Sequence, residues 1–522
     1  MFSVASVSSR RDSSVGRFRH LQRSLLLWSC GAIAFLVLAT ANGAGYRYGV
    51  SDQAFYIPAV VRAATPGAFP RDAALIDAQA RLMILDELLA WLTRATGLSL
   101  ELLFFIAYLL SLTLIWVGVL LIGARAFSRP GNHPRTTMWA TAALAAAMTL
   151  RHRIPRTSVN SFEPYFHPRM LAFGFGLLAI AAVLGRRSWR AIALVAAAAV
   201  VHVTTAIWFA AMIGVAIAVL DPRMRRLILV GAIAAIAVGA SALIGPLRAS
   251  TARMDDVWLQ AVTSKDSLFA NEWPMWAWTG NLALLAILLI AHRYRRSRGL
   301  ATAEDNALVW GATALVALFL ITLPAVAAHV AIAVQLQISR VFWLADVLAT
   351  VYVIGAIASG PSDAARPSMV RAQILAILLI GVSASRGAYI LFIEHPERHL
   401  FELHLPADPW EDAMQWVSRQ PLDVHVLADP GHAWKYGTSV RVAAGRDVFL
   451  EDVKDSAIAM YSRDVALRVV ARGRAVGDFS SLTAARAREL ATQYDLGYLV
   501  AEQPFDLPVA YRNARFGIYR LR

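Results

Sequence analysis

The chain has 522 residues, of which 58% are hydrophobic, and its formal net charge is +15. A mean hydropathy of +0.52 excludes an ordinary soluble enzyme, and apolar segments of about twenty residues recur at the length needed to cross a bilayer. The positive charge is almost wholly arginine, since Lys265, Lys435 and Lys454 are the only lysines. Because the arginines lie in short loops between apolar segments, we expect contacts with the membrane and no nucleic-acid partner. The single cysteine, Cys30, excludes an intrachain disulfide.

The first apolar segment follows a run of arginines, which sets the expected orientation of the N-terminus. The positive-inside rule predicts that residues 1–23 are a cytoplasmic segment. Ala39-Thr40-Ala41 matches a small-residue cleavage site, so a removable signal peptide is one interpretation. We favour an uncleaved span over 24–41, because the rest of the chain is predicted to lie in the membrane. The arginines are Arg10, Arg11, Arg17, Arg19 and Arg23.

The remaining apolar segments predict a mainly α, polytopic membrane protein. Placing the arginine-rich short loops in the cytoplasm gives about eleven crossings within a transmembrane domain, residues 24–393. The N-terminus is then cytoplasmic and the C-terminus periplasmic. The predicted spans are 24–41, 99–123, 136–150, 169–185, two short helices within 191–220, 227–247, 275–291, 306–326, 341–359 and 370–392.

The stretch 191–220 is apolar but has arginine clusters at both ends, so a single crossing does not satisfy its charges. Two short helices joined near His202-Val203-Thr204-Thr205 would place both arginine clusters on the cytoplasmic side. Fifteen residues rise only about 22 Å, which places the turn below the outer surface. Non-helical backbone at that depth is tolerated only within protein or beside a wet cavity. This segment therefore predicts a cavity near His202.

The loop 42–98 between the first two spans is predicted to be periplasmic and to carry interfacial helices. Phe69-Pro70-Arg71-Asp72 predicts a turn, followed by one amphipathic helix over 73–96. Apolar residues recur there at helical spacing, and the opposite face is polar. The apolar residues are Leu82, Leu85, Leu88, Leu89 and Leu92, and the polar ones are Arg81, Asp86, Glu87 and Arg94.

Residues 394–522 have the composition of a small soluble domain, expected to be a periplasmic α/β domain. Short apolar strands alternate there with helical segments. The predicted helices are 409–419, 456–474 and 483–494, and the predicted strands are 424–428, 498–501 and 516–521.

Asp52 is the first candidate catalytic residue. It lies in Gly45-Tyr46-Arg47-Tyr48-Gly49-Val50-Ser51-Asp52-Gln53-Ala54-Phe55-Tyr56, directly after the first span. Ionisable groups near the membrane are costly and are usually retained for a function. The structural alternative is a helix N-cap, with Ser51 or Asp52 starting a helix at Gln53.

A cluster of basic residues is the second candidate site. Four arginines are predicted to face outward between the third and fourth spans, against the positive-inside tendency. The predicted path places His202 and Arg340 at the same face. The arginine fork suits phosphate, so a lipid phosphate or pyrophosphate is the expected ligand. The alternative is that the arginines pair with Asp52, Asp72 or Glu163, or contact lipid headgroups. The candidate binding residues are Arg151, Arg153, Arg156, His167, Arg169, His202 and Arg340.

Several short motifs, together with the span–loop–span organisation, resemble the GT-C superfamily of bacterial membrane glycosyltransferases. The resemblance covers most of the chain. It implies transfer of a sugar from a polyprenyl phosphate or pyrophosphate carrier to an acceptor at the outer face. In the family the acidic residue after the first span acts as base or orients the acceptor, a role that falls on Asp52 here. The matching motifs are Tyr48–Tyr56, Phe69–Asp72, Phe162–Tyr165 with His167–Arg169, His202–Thr205 and Gln335–Arg340.

One departure from the family pattern bears on the chemistry. The expected acidic pair is reduced to Ser51-Asp52-Gln53, so we predict no cofactor and regard a divalent metal as doubtful. The leading hypothesis is a glycosyltransferase of the bacterial inner membrane. Two alternatives remain: a transporter or sensor of an anionic lipid, and a degenerate scaffold whose tail recruits an envelope partner. The sequence leaves the oligomeric state open.

Overall fold

A computed structural model describes residues 28–80, 83–128, 133–245, 248–359 and 365–522. The predicted cytoplasmic segment 1–23 and the start of the first span lie outside these residues.

The first part of the chain is a bundle of helices at the predicted apolar segments. Local signals start them: the Ser99 hydroxyl accepts the Leu102 N–H, and Thr302 with Asp305 forms a capping box. The bundle helices are α1 (Trp28–Asn42), α2 (Gln53–Ala64), α3 (Ala73–Ala80), α4 (Leu85–Thr96), α5 (Leu100–Ala126), α6 (Pro134–Thr149), α7 (Pro168–Leu184), α8 (Ser188–Val201), α9 (Val203–Leu220), α10 (Pro222–Ile244), α11 (Asp256–Val262), α12 (Met275–Ser297), α13 (Ala303–Ala327), α14 (Ala331–Gln335), α15 (Val341–Ser359) and α16 (Ala365–Tyr389).

This architecture is that of a multi-pass membrane protein. Within the described residues, seven helices are long and apolar enough to cross a membrane, and α1, α7 and α8 are shorter apolar helices. The count of eleven crossings stays a prediction. α5 packs on α7, α6 on α16, α12 on α15 and α9 on α13.

The predicted break in the stretch 191–220 is present. α8 ends at Val201 and α9 begins at Val203, with the extended residue His202 between them. The two helices pack on each other and on α7. His202 is 9% exposed, so the break lies inside the protein.

The predicted single helix over 73–96 is wrong. α3 ends at Ala80 and α4 begins at Leu85. Asp86, assigned to the polar face, is only 2% exposed, whereas Leu88 and Trp91 are exposed. The outward side of α4 therefore combines the apolar Leu88 and Trp91 with the charged Glu87 and Arg94, which suits a helix lying between water and lipid.

Residues 401–522 form a second compact part, here called the C-terminal sheet region. Its five strands are β5 (His425–Leu427), β6 (Asp447–Val448), β7 (Tyr498–Ala501), β8 (Val509–Arg512) and β9 (Gly517–Arg520). They lie in the order β6-β5-β7-β9-β8; β5 pairs parallel with β6 and β7, and β9 pairs antiparallel with β7 and β8. The helices are α17 (Pro409–Ser418), α18 (His432–Lys435), α19 (Val440–Ala443), α20 (Asp452–Ala459), α21 (Arg463–Val476) and α22 (Ala484–Tyr494).

Two details of this region differ from the sequence-based expectation. The helix predicted over 456–474 is split into α20 and α21, because the chain turns at Met460, where the Ser462 hydroxyl caps α21. Strands β6 and β8 were not predicted. β6 has only two residues, and β8 is a half-exposed edge strand, so neither carries a clear apolar pattern.

The C-terminal sheet region is joined to the segment between α1 and α5. Strand β1 (Tyr46–Arg47) pairs parallel with β4 (Phe401–Glu402). A buried ion cluster also crosses this boundary. Arg441 Nε lies 2.7 Å from Asp72 Oδ2, and Arg441 Nη1 lies 2.6 Å from Asp455 Oδ1. These contacts hold α20 against α3, and Lys454 of α20 reaches Asp52 at the start of α2.

Candidate active site

Asp52 occupies the N-cap position of α2, but its carboxylate does not cap the helix. The preceding turn is held by Gly49, whose φ of +81° suits glycine and whose N–H donates to Gln53 Oε1 at 2.6 Å. With the helix start satisfied in this way, the Asp52 carboxylate is free for other contacts. The N-cap alternative therefore describes the position of Asp52 but not the use of its side chain.

The Asp52 carboxylate contacts three side chains. Oδ1 accepts a hydrogen bond from Lys454 Nζ at 2.9 Å. Oδ2 accepts a hydrogen bond from the Tyr165 hydroxyl at 3.3 Å and lies 3.6 Å from His167 Nε2. The side chain is still 32% exposed, because it faces an open cavity.

That cavity, here called the Asp52 cavity, has a volume of about 170 Å³. It lies where α7, α9 and α15 begin and α20 approaches the bundle. Its lining is mostly polar and combines cations, histidines and one carboxylate. The lining side chains that carry the argument are Asp52, His167, Arg169, His202, Lys265, Arg340 and Tyr461.

The two histidines have the same structural role. His167 caps α7 and His202 caps α9, each by accepting a backbone N–H on Nδ1. A neutral ring that accepts on Nδ1 carries its proton on Nε2. The His167 Nε2–H faces Asp52 Oδ2 at 3.6 Å and the Tyr56 hydroxyl at 3.5 Å, so the His202 Nε2–H is the one left for an incoming ligand. His167 is held neutral, because burial and the neighbouring Arg169 lower its pKa to about 3. The ring centroids are 6.0 Å apart, and the N-termini of two helices add a positive potential between them.

Arg169 and Arg340 supply the charge of this cavity. Arg169 Nη2 donates to Glu163 Oε1 at 2.9 Å, and both side chains are buried. Arg340 lies in the turn before α15 and makes no ion pair among the described residues; its Nε is buried without a hydrogen-bond partner. Arg340 is therefore the cation most available to an incoming anion.

The charge of Asp52 is maintained by its neighbours. Burial alone would raise its pKa, but the Lys454 ammonium and the hydrogen bond from His167 hold the pKa well below its usual range. Asp52 is thus ionised at neutral pH. An ionised carboxylate can accept the proton of a bound hydroxyl group.

The remaining predicted binding residues lie elsewhere. Arg151 and Arg153 line a second cavity of about 270 Å³ on the other side of Ser51 and Tyr165, here called the arginine cavity. Arg156 lines a third cavity and forms an ion pair with Asp266. The structure therefore brings Asp52 together with His167, Arg169, His202 and Arg340, and separates the other three arginines from them.

The alternative to ligand binding is that these arginines pair with Asp52, Asp72 or Glu163; among the described residues, only Glu163 of these three pairs with them. Glu163 pairs with Arg169 and, at 3.7 Å, with Arg151. Asp72 instead pairs with arginines of the C-terminal sheet region. Their long separation in sequence hides these partners from local pattern analysis.

Several side chains at this site were not predicted from the sequence, among them Lys265 and Tyr461, which line the Asp52 cavity, and Lys454, which contacts Asp52. Lys265 lines the cavity and donates to the Val453 carbonyl at 2.7 Å, and burial lowers its pKa, aided by Lys454. One signal was present in the composition. The chain uses arginine almost everywhere, and two of its three lysines lie at this site.

The described residues contain no group of three or more His, Cys, Asp or Glu side chains placed to hold a metal ion. The groups nearest to Asp52 are a lysine, a tyrosine and a histidine. The sequence-based expectation that a divalent metal is doubtful therefore stays a prediction.

No protein-family model matches the chain, and no curated protein matches it significantly. Among solved structures, the chain is similar to the crystal structure of the Archaeoglobus fulgidus oligosaccharyltransferase in the apo form, with a TM-score of 0.48 and 13% sequence identity. The similarity covers 91% of this chain and 69% of that chain.

Proposed function

We propose that this protein is a glycosyltransferase of the bacterial inner membrane that moves a sugar from a polyprenyl-phosphate-type lipid to an envelope acceptor at the periplasmic face. One observation carries the proposal. An ionised, partly exposed carboxylate faces the same cavity as Arg340, which makes no ion pair among the described residues, at the ends of apolar helices. The motifs shared with the GT-C superfamily assign the same role to Asp52.

In this reaction the acceptor hydroxyl donates its hydrogen bond to Asp52. The hydroxyl oxygen bonds to the anomeric carbon of the sugar, and the bond from that carbon to the carrier phosphate breaks. The proton passes to Asp52, and the negative charge passes to the phosphate. Arg340, Arg169 and the Nε2–H group of His202 stabilise this charge.

Lys454 limits how basic Asp52 is. A carboxylate held far below its usual pKa is a weak base, since general-base catalysis is most effective when the pKa lies near the working pH. The acceptor must therefore displace Lys454 from Asp52, or the proton transfer must come late in the reaction. In the first case the C-terminal sheet region takes part directly in substrate entry.

The test is sugar transfer from a labelled polyprenyl phosphate sugar, measured in proteoliposomes. Asp52→Asn keeps the size of the side chain and removes the base, so we expect transfer to be lost while the protein stays folded. Asp256→Asn is the matched control, because Asp256 is exposed and lies outside the Asp52 cavity. Full transfer by Asp52→Asn would exclude Asp52 as the base.

A non-enzymatic role is favoured by one feature. Lys454 already satisfies an Asp52 oxygen, as in a stable structural ion pair. A lipid transporter or sensor, or a scaffold, would then bind a lipid without consuming it. Retention of an intact sugar–lipid by wild-type protein, with no transfer to any envelope fraction, would support this alternative.

A further inference from the structure

A long apolar groove runs between α1, α5 and α6, with Ile380 of α16 at one side. Its volume is about 590 Å³, and none of the described residues that line it carries a charge. Phe35 and Leu38 line one wall, and Trp116 and Leu120 line the opposite one. Such a surface favours a hydrocarbon chain over a polar ligand.

The arginine cavity has the opposite character. Five arginines and only two glutamates line it: Arg47, Arg151, Arg153, Arg386, Arg398, Glu163 and Glu394. Glu163 also forms an ion pair with Arg169, which lies outside this cavity, so its charge is only partly available to the arginines inside. The positive charge is therefore not balanced within the cavity.

Two arginines in this cavity have unused donors. Among the described residues, Nε of Arg47 and Nε of Arg151 are buried without a hydrogen-bond partner. Burial and the nearby Arg398 lower the pKa of Arg47, and the carboxylates of Glu402 and Glu397 only partly oppose this effect. Buried donors without partners cost stability, so an anion that accepts from them would be bound favourably.

The groove and the cavity follow one another along the same helices. On α1, Leu38 lines the groove and Asn42 lines the cavity, one turn further on. On α16, Ile380 lines the groove and Arg386 lines the cavity, about 9 Å along the axis. A hydrogen bond from Asn42 Nδ2 to the Ser383 carbonyl, 3.1 Å long, joins α1 to α16 between the groove and the arginine cavity.

We propose that the groove and the arginine cavity together bind one lipid with a phosphate headgroup, its chain in the groove and its phosphate against Arg47, Arg151 and Arg153. The rigid arginine fork matches phosphate oxygens. This site goes beyond the proposed function, because it is separate from the Asp52 cavity and needs no transfer reaction. Ser51 and Tyr165 form the wall between the two sites.

Native mass spectrometry of the purified full chain, titrated with dioleoyl phosphatidic acid or with a polyprenyl monophosphate, tests the proposal. Arg153→Gln removes a cation that has no partner among the described residues, and we expect about fivefold weaker lipid binding. Ala145→Phe fills the groove without changing charge and should also weaken binding. Arg253→Gln is the control, since Arg253 is exposed and lies outside this site.

Each outcome decides the proposal. Wild-type binding by both Arg153→Gln and Ala145→Phe would overturn it. Complete displacement of the lipid by inorganic phosphate would show a free-phosphate site and overturn the role of the groove. Preference for one of the two lipids identifies the source of the phosphate. Sugar transfer by Asp52→Asn tests the proposed reaction, whereas lipid binding by Arg153→Gln and Ala145→Phe tests this site, so failure of the reaction and failure of the site are separable.

Discussion

Lys454 Nζ lies 2.9 Å from Asp52 Oδ1, although the two residues are 402 positions apart in the chain. The lysine belongs to α20 in the C-terminal sheet region, and the aspartate begins α2. The same ammonium group lies 5.3 Å from the Phe55 ring centroid. The C-terminal sheet region thus sets the charge of the candidate catalytic carboxylate.

Replacing Lys454 with methionine is expected to shift the pH profile of sugar transfer. Lys454 and His167 keep the pKa of Asp52 low against the effect of burial. Without the ammonium group burial raises that pKa, so Asp52 becomes protonated at a higher pH. The acidic limb of the transfer rate should move to higher pH when the rate is measured from pH 4 to 8.

Lys435→Met is the matched control for this shift. Lys435 is the third lysine, is exposed and pairs with Asp429 away from the cavity. An identical pH profile in wild type and Lys454→Met would show that Lys454 does not control the charge of Asp52.

Arg340→Gln should lower the transfer rate by roughly 10²–10³-fold, the usual loss when one donor to a developing oxyanion is removed. Arg340 has no ion-pair partner among the described residues, so the thermal unfolding temperature of the Arg340→Gln protein should differ little from that of wild type. Arg156→Gln should lower the rate much less, because Arg156 pairs with Asp266 outside the Asp52 cavity. Equal losses in the two variants would contradict the separate cavities.

The helical part of this fold was predictable because its signals are local. Apolar length and arginine-rich ends marked the bundle helices, and the charge conflict at both ends of the stretch 191–220 located the break at His202. The C-terminal sheet region was recognisable from its alternation of strands and helices. These inferences need only sequence windows of about twenty residues.

The composition of the site was less predictable, because it depends on contacts distant in sequence. Arg151 follows α6 and Arg169 lies in the first turn of α7, yet the two side chains line different cavities. Arg441 binds both Asp72 and Asp455 and so holds α20 against the start of α3, and Lys454 of α20 contacts Asp52. Charge patterns predict a face of the bundle but not which side chains share a cavity.

Arg441→Met is expected to destabilise the protein by about 3–5 kcal/mol, the usual cost of removing one partner from a buried ion pair. Arg441 is 2% exposed, and its loss leaves the buried carboxylates of Asp72 and Asp455 without it. Thermal unfolding in detergent measures the change. Arg463→Met removes the exposed pair with Asp255 and should change the unfolding temperature little, because exposed ion pairs contribute little to stability. Equal losses in the two variants would show that the buried cluster is not what joins the two parts.

Asp86 should make stability fall as the pH rises. It is 2% exposed, and neither carboxylate oxygen has a hydrogen-bond partner in the part of the chain that the structure describes. Burial, with a smaller effect of Glu87, raises its pKa to about 7. The folded state therefore favours the protonated form, whereas the unfolded chain loses this proton near pH 4. The stability from the neutral carboxyl is present below pH 4 and is lost as the pH rises to 7.

Asp86→Asn removes this dependence, because the amide stays neutral at every pH. We expect the variant to melt at a higher temperature than wild type at pH 8, with a gain of about 1–3 kcal/mol. At pH 5 the two proteins should differ much less. Glu87→Gln is the control: its side chain is exposed, so it should give only a small part of the gain. A constant difference between wild type and Asp86→Asn from pH 5 to 8 would show that Asp86 does not titrate in the folded protein.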